Sequence, residues 1–400
     1  MRNAWAKKLL LLFSSLLIGC LLLEVVFRLV GYRPLYEVYS KPEIFWRKDP
    51  QLGWSLTPGA HDRYVGPRPF PIQFRQQIRI NSLGLRGPEL QELPPGGRRI
   101  IFLGDSETAG FEVAEGQTFA SVVGEIVEPQ LGAPVQAINA GIRGYGTDQA
   151  LLLYRERLRR LRPDLVVYDQ VSNDIDDNMT LHRPRRPFGK PAFAMRPDGT
   201  LRPVGVPVPE YPFCSSYRLN EQSQVRRVDG LASRAFCTVQ TYLSDRSALF
   251  SFVTTRVRQN PQLLKRLWNA GQAGEAPVQP TAPPPQPSAP APPVTVTAAP
   301  PVTGRETDYP HELTTALVLE LARLVHGDGA KLMVIASVSD LERQDVAALV
   351  RAGVQVIRQE QILGADQTPL RFLNDGHLNP RGHRQLANGL APAILEQLRQ

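Results

Sequence analysis

The sequence predicts an α/β fold, a three-layer sandwich on a mostly parallel sheet, preceded by an N-terminal transmembrane helix and interrupted by a long insertion. Three observations predict it. Apolar runs at Ile100–Leu103, Leu165–Tyr168 and Leu332–Ala336, and one at Val135–Ile138 broken by Gln136, have the length of strands buried on both faces. Amphipathic helical stretches alternate with these runs, the order expected of parallel strands joined by crossover helices. At the start, Arg2, Lys7 and Lys8 precede an apolar run from Leu9 to Leu23 that resumes after Glu24 as Val25, Val26 and Phe27.

Residues 1–30 read as a cytoplasmic tip and signal-anchor, because about 20 apolar residues in a helix cover the hydrocarbon core. The positive flank stays in the cytoplasm, so everything after Arg28 is expected outside the inner (cytoplasmic) membrane, in the periplasm, on a single-pass anchor. Two alternatives stand beside this. A cleaved signal peptide is one, although no small-x-small site lies between the run and Gly31. Lipidation is the other, since Leu17-Ile18-Gly19-Cys20 resembles a lipoprotein signal box, although Leu21-Leu22-Leu23 follows where a mature lipoprotein begins polar.

Residues 31–97 are turn-rich, with Asp49-Pro50, Pro58-Gly59 and Pro94-Pro95-Gly96-Gly97, and alternate at Ile72, Phe74, Ile78 and Ile80; a β-rich lead-in is expected. Residues 98–180 form the first half of the sandwich. Its helices are expected around Thr118 to Val127 and from Thr147, where Ala150, Leu151, Tyr154, Leu158 and Leu161 share a face. The second half, 309–400, has a helix from Leu313 to Val325, a helix near Asp345 to Val350, a strand at Val354 to Ile357, and a terminal helix capped by Asn379 with Pro380 at its first position.

Between them lies the insertion, 181–308. Its first part shows helical spacing through Leu243, Leu249, Phe250, Val253 and Val257. It also holds Cys214 and Cys237, which outside the cytoplasm are expected to form a disulfide. A Pro-rich linker at 277–303 reads as extended polyproline II. The apolar share of 42% is ample for a packed core, and the formal charge of +8 comes from Arg residues scattered along the chain. With no recognised nucleic-acid motif, that charge favours anionic envelope surfaces over nucleic acid.

Four short segments carry chemistry, three directly after strands. Gly104-Asp105-Ser106 puts Ser106 at the carboxyl end of a parallel strand, where open α/β sheets bind ligands; alone, the tripeptide is also an ordinary turn. The Gly-rich loop Asn139 to Gly146 offers backbone N–H groups to a developing negative charge. Ser172-Asn173-Asp174 offers a side-chain amide or a helix cap. Near the C-terminus, Asn374-Asp375-Gly376-His377 supplies an imidazole with a carboxylate two residues before it. His383 is a weaker candidate base, and His61, His182, His311 and His326 have no partner pattern. Asp174, Asp176 and Asp177 cluster at a spacing that matches no metal loop.

In this order the segments resemble the four blocks of the SGNH (GDSL-like) hydrolase superfamily, over residues 98–180 and 309–400. The lead-in is similar to that of membrane-tethered bacterial members, through Asp49-Pro50-Gln51-Leu52-Gly53-Trp54 and Ile80-Asn81-Ser82-Leu83-Gly84-Leu85-Arg86-Gly87. The resemblance implies the flavodoxin-like SGNH fold and a serine esterase using no metal and no cofactor. It assigns Ser106 as nucleophile, His377 as base, and the Ser106 and Gly144 amides with the Asn173 side chain as oxyanion donors. The family more often places its Asp three residues before the His, where Asn374 stands here; variant members use the shorter spacing, which gives the role to Asp375. The expected substrate is an ester, an acylated glycan by location. O-acyl transfer to an envelope polysaccharide and a non-catalytic glycan-binding role are the competing readings.

Overall fold

A computed structural model describes residues 2–32, 42–66, 73–184, 186, 188–196, 198–259, 308–373 and 375–400. The linker expected at 277–303 and Asn374 lie outside the described residues. The chain divides into two compact units, one of Met1–Ser40, Arg68–Pro71 and Val239–Thr295, the other of Lys41–Pro67, Ile72–Thr238 and Val296–Gln400.

In the larger unit the lead-in forms two antiparallel pairs, β1 (Trp46–Asp49) with β2 (Gly53–Leu56), and β3 (His61–Gly66) with β4 (Phe74–Arg79). The first turn is built by Asp49, whose carboxylate accepts the Gln51 and Leu52 N–H groups, each at 3.0 Å. Gly53 follows at φ +84, and a Cβ there would meet the Gly189 carbonyl at 2.3 Å, so the turn requires glycine.

The parallel strands come next: β5 (Arg98–Gly104), β6 (Val135–Gly141) and β7 (Leu165–Asp169). The insertion adds short strands β8 (Thr180–His182), β9 (Ala192–Met195), β10 (Leu201–Val204), β11 (Tyr217–Leu219) and β12 (Val225–Arg227), then β13 (Lys331–Ala336) and β14 (Gln355–Arg358) complete the main sheet. That sheet runs β14-β13-β7-β5-β6, parallel throughout. The chain leaves β5 for β6 on one side and returns to β7 on the other, so strand order reverses at the carboxyl ends of β5 and β7, the place where open α/β sheets hold ligands.

Alternate residues of each strand serve two cores. Ile101, Leu103, Val166, Tyr168, Leu332 and Val334 meet the helices Thr147–Leu153 and Tyr309–Gly327 on one face. Ile100, Phe102, Leu165, Val167, Met333 and Ile335 meet Phe119–Leu131 and Pro380–Arg399 on the other. The fold is therefore the expected α/β three-layer sandwich. Leu52, Leu56, Ile78, Leu181, Phe193 and Leu219 join the first core, so lead-in and insertion extend it. A Cys214–Cys237 disulfide is present in the insertion. In the smaller unit, helix Arg2–Leu29 contains a stretch, Lys7–Leu29, long and apolar enough to cross a membrane.

Candidate active site

Ser106 opens the four-residue helix Ser106–Ala109 directly after β5, and Asp105 caps that turn by accepting the Glu107 N–H at 2.9 Å. At the other end of the sequence, Phe372 and His377 close a short loop: Phe372 N–H donates to the His377 carbonyl at 2.9 Å, and Gly376 N–H to the Phe372 carbonyl at 3.0 Å. Gly376, at φ +88, makes the turn that sends Asp375 and His377 to the same side. His377 Nδ1 is hydrogen-bonded to Asp375 Oδ1, and its Nε2 lies 2.9 Å from Ser106 Oγ. The hydroxyl also reaches Asp105 Oδ2 at 3.2 Å.

These groups line a cleft of about 350 Å3 with Gln170, Val171, Ser172, Asn173, Ser337, Gln359 and Arg371. Among the described residues of that wall, Val171 is the one hydrocarbon side chain. Asn173 heads the segment after β7, its amide donating to Asp105 at 3.3 Å and Asp177 at 3.0 Å. Gly144 does not line this cleft; it borders a smaller cavity with Trp54, Asp177, His182 and Arg183.

Several side chains that the sequence did not single out converge here. Glu112 is fully buried; one of its oxygens lies 3.7 Å from His377 Nδ1 and pairs with Arg143, while the other has no hydrogen-bond partner among the described residues. Glu107, beside Ser106, accepts the Leu378 N–H at 3.0 Å and pairs with Arg371, which in turn donates to the Gly376 carbonyl at 2.7 Å. Arg86, from the lead-in, donates to the Ala109 and Val113 carbonyls at 2.6 and 2.7 Å and so holds the chain just beyond Ser106. The lead-in motif that contains Arg86 is the one signal that could have led to this region, although the sequence reading gave Arg86 no place in the site; the Glu107 and Glu112 pairings span 264 and 31 residues and have no sequence period.

Burial disfavours the charged form of His377, but the Asp375 hydrogen bond and the Glu112 charge outweigh it, holding the imidazole above its ordinary value. Burial likewise opposes ionisation of Asp375, and its bond to His377 reverses the balance, leaving the carboxyl below the usual range. Beneath Ser106, burial raises Asp105, and burial with the neighbouring Glu107 and Asp105 charges pushes Asp169 up to about 8.

The arrangement of Ser106, His377 and Asp375 can be set beside known proteins. No family model matches the sequence, and no curated protein matches it. Among solved structures the chain is similar to TesA, 10% identical, covering 75% of this chain and 99% of that one at a TM-score of 0.38. It is similar to a putative acylhydrolase from Bacteroides fragilis, 12% identical, over 78% and 93% at 0.32, and to an acetyl-xylooligosaccharide esterase from Geobacillus Stearmophilus, 9% identical, over 77% and 96% at 0.34. It is also similar to a GDSL-like lipase from Bacteroides thetaiotaomicron, 12% identical, over 75% of this chain and 88% of that one at 0.29.

The other histidines fall elsewhere. His383 is 1% exposed, stacks on Phe119 and accepts the Phe119 N–H at 3.2 Å; burial, with Arg86, His377 and Arg371 nearby, pushes it down to about 3, so it is a neutral structural group. His182 is buried against the Ser215 carbonyl, and His311, without a partner pattern in sequence, pairs with Asp308. The acidic trio separates: Asp174 accepts from Tyr168, Asp176 pairs with Arg218, and Asp177 with Arg183.

Proposed function

We propose that this chain is a membrane-anchored serine esterase that removes short O-acyl groups, acetyl above all, from an extracytoplasmic carbohydrate. The observation that carries the reading is the continuous run Ser106 Oγ, His377 Nε2 at 2.9 Å, His377 Nδ1 and Asp375 Oδ1 at the sheet's switch point. In this mechanism His377 takes the Ser106 proton while Ser106 Oγ bonds to the ester carbon. The tetrahedral oxyanion is met by the Ser106 amide and by the Asn173 side chain, once that amide turns from Asp105 and Asp177; Gly144, which borders the neighbouring cavity, takes no part in this reading. His377 then passes its proton to the departing alcohol oxygen as the carbon–oxygen bond breaks. Water repeats the sequence on the acyl-enzyme, its proton going to His377 and then to Ser106, and releases the acid.

Asp375 fixes the imidazole tautomer. Glu112 adds a second carboxylate charge on the same edge of the ring, tempered by Arg143. The cleft supports the short-acyl part of the reading, since among the described residues its wall offers Val171 alone as hydrocarbon for a long chain, and several hydroxyls and amides for a polyhydroxylated alcohol. The apolar span behind Arg2, Lys7 and Lys8 supports the anchor and the periplasmic site. The test is turnover of 4-nitrophenyl acetate, and acetate release from an O-acetylated oligosaccharide, by the full chain in detergent. The esterase reading expects both to vanish in Ser106→Ala; turnover that survives this substitution overturns it.

A further inference from the structure

Glu24 is the one acidic residue of the span Lys7–Leu29, five residues before its end. A carboxylate there must be satisfied, and every group that satisfies it is within the smaller unit. Its two oxygens accept the Ala248 and Leu249 backbone N–H groups and the Ser247 hydroxyl, each at 2.9 Å, and the Arg28 guanidinium at 2.7 Å. Ala248 and Leu249 begin the helix Ala248–Gln259, so Glu24 occupies the N-terminal end of a second helix, where unpaired N–H groups and the helix dipole favour a negative charge. Ser247 completes the cap by accepting the Phe250 N–H at 3.0 Å. Phe252 of this helix lies against Phe27 and Tyr32 at ring separations of 4.6 and 5.6 Å, and Ala248 and Ser251 are fully buried.

We infer that the helix Ala248–Gln259, with the end of the helix before it, docks into the outer boundary of the bilayer that the anchor crosses, its partner being the lipid headgroup and upper acyl region. The inference rests on the anchor reading. The depths agree. At 1.5 Å per residue, Glu24 lies about 7 Å inside the end of the span. The 23-residue span is about 35 Å long against a hydrocarbon core of about 30 Å, which leaves Glu24 roughly 5 Å within it. An interfacial amphipathic helix settles at that level, about 5–10 Å into the headgroup and acyl boundary.

The side chains fit the same place. Val239, Tyr242, Leu243 and Arg246 share one face of the preceding helix, and the three apolar or aromatic ones are exposed, as is Val253 on the docked helix. Arg246 covers the Tyr242 ring at 4.1 Å and Arg256 the Phe252 ring at 5.4 Å, aromatic and cationic pairs suited to a headgroup layer. Arg28 also donates to the Arg246 carbonyl, closing the end of one helix onto the anchor.

The experiment uses the full chain in phospholipid vesicles, with Val253→Cys in a Cys20→Ser background carrying an environment-sensitive fluorophore. Lipids with a spin label near the headgroup end of the acyl chain are expected to quench it strongly, lipids labelled at the chain terminus weakly, and Glu24→Ala to relieve the quenching. Fluorescence untouched by either quencher, on a chain whose N-terminal span is intact by mass, overturns the docking while leaving the anchor standing. Recovery of the mature chain without its first thirty residues overturns both. Should Glu24→Ala fail to insert, the parent's quenching still decides.

Discussion

His377 holds its Nδ1 against Asp375 with Glu112 standing 3.7 Å from the same nitrogen, and it is faced also by Arg143 and, beyond Ser106, by Glu107. Below its pKa the protonated ring cannot take the Ser106 proton, so kcat/KM is expected to fall on the acid side with a midpoint above the ordinary 6.5. Replacing Glu112 with Gln removes a charge that retains the proton, and the acid limb is expected to move to lower pH; a limb that stays put contradicts a role for Glu112. Asn173→Ala is expected to lower kcat by about two to three decades, about 3 kcal/mol, if its amide meets the oxyanion. At this scale sequence reading reached Ser106, His377 and Asp375, because each sits in a short motif. Glu112, Arg143 and Glu107 were illegible: their roles come from chain segments brought together only by folding, and Glu112 looks like any charged residue until its complete burial is seen.

Between elements, the Ser106 helix and the His377 loop are tied by Glu107, which receives Leu378 N–H and Arg371. Asn379 strengthens the same joint, its carbonyl oxygen capping the terminal helix through Arg381 and Gly382 N–H while its amide donates to the Pro369 and Arg371 carbonyls. Arg371→Ala is expected to lower kcat more than it raises KM and to speed amide exchange at Leu378; a KM effect alone would place Arg371 in substrate binding. Asn379→Ala is expected to cost about 1 kcal/mol in thermal unfolding, the usual value of such a cap. The cap and the long strands were legible, since Asn-Pro and continuous apolar runs are local signals. The helix expected from Thr147 instead ends at Leu153, with a π turn at Tyr154–Leu158 and a 3-10 turn at Arg159–Leu161 continuing the same face. Strands β8 to β12, of three or four residues each, are too short to show a period and form by pairing with one another.

Across the whole molecule, burial beneath the cleft makes stability depend on pH. Asp169 titrates at about 8 in the fold against 3.8 when free, so the stability it contributes is complete below pH 3.8 and is lost as pH rises through 8. Asp169→Asn keeps an acceptor for the Thr108 hydroxyl, which reaches the carboxyl at 3.2 Å. Its melting temperature relative to the parent is therefore expected to climb between those values and then level; a difference flat with pH contradicts a neutral buried Asp169. Reducing the Cys214–Cys237 bridge, which spans 23 residues, is expected to cost about 3 kcal/mol by loop entropy, readable as a lower melting temperature in reductant.

The parallel sheet and its two-sided core followed from pattern, whereas the strand order did not, and nothing local foretold that Leu52, Phe193 and Leu219 would share one core. The central claim is that Ser106 is an activated nucleophile. Incubating the full chain with a fluorophosphonate and mapping the adduct by mass spectrometry tests it most directly: the account predicts one adduct, on Ser106, lost in His377→Ala, and a folded chain that stays unlabelled at Ser106 would contradict it.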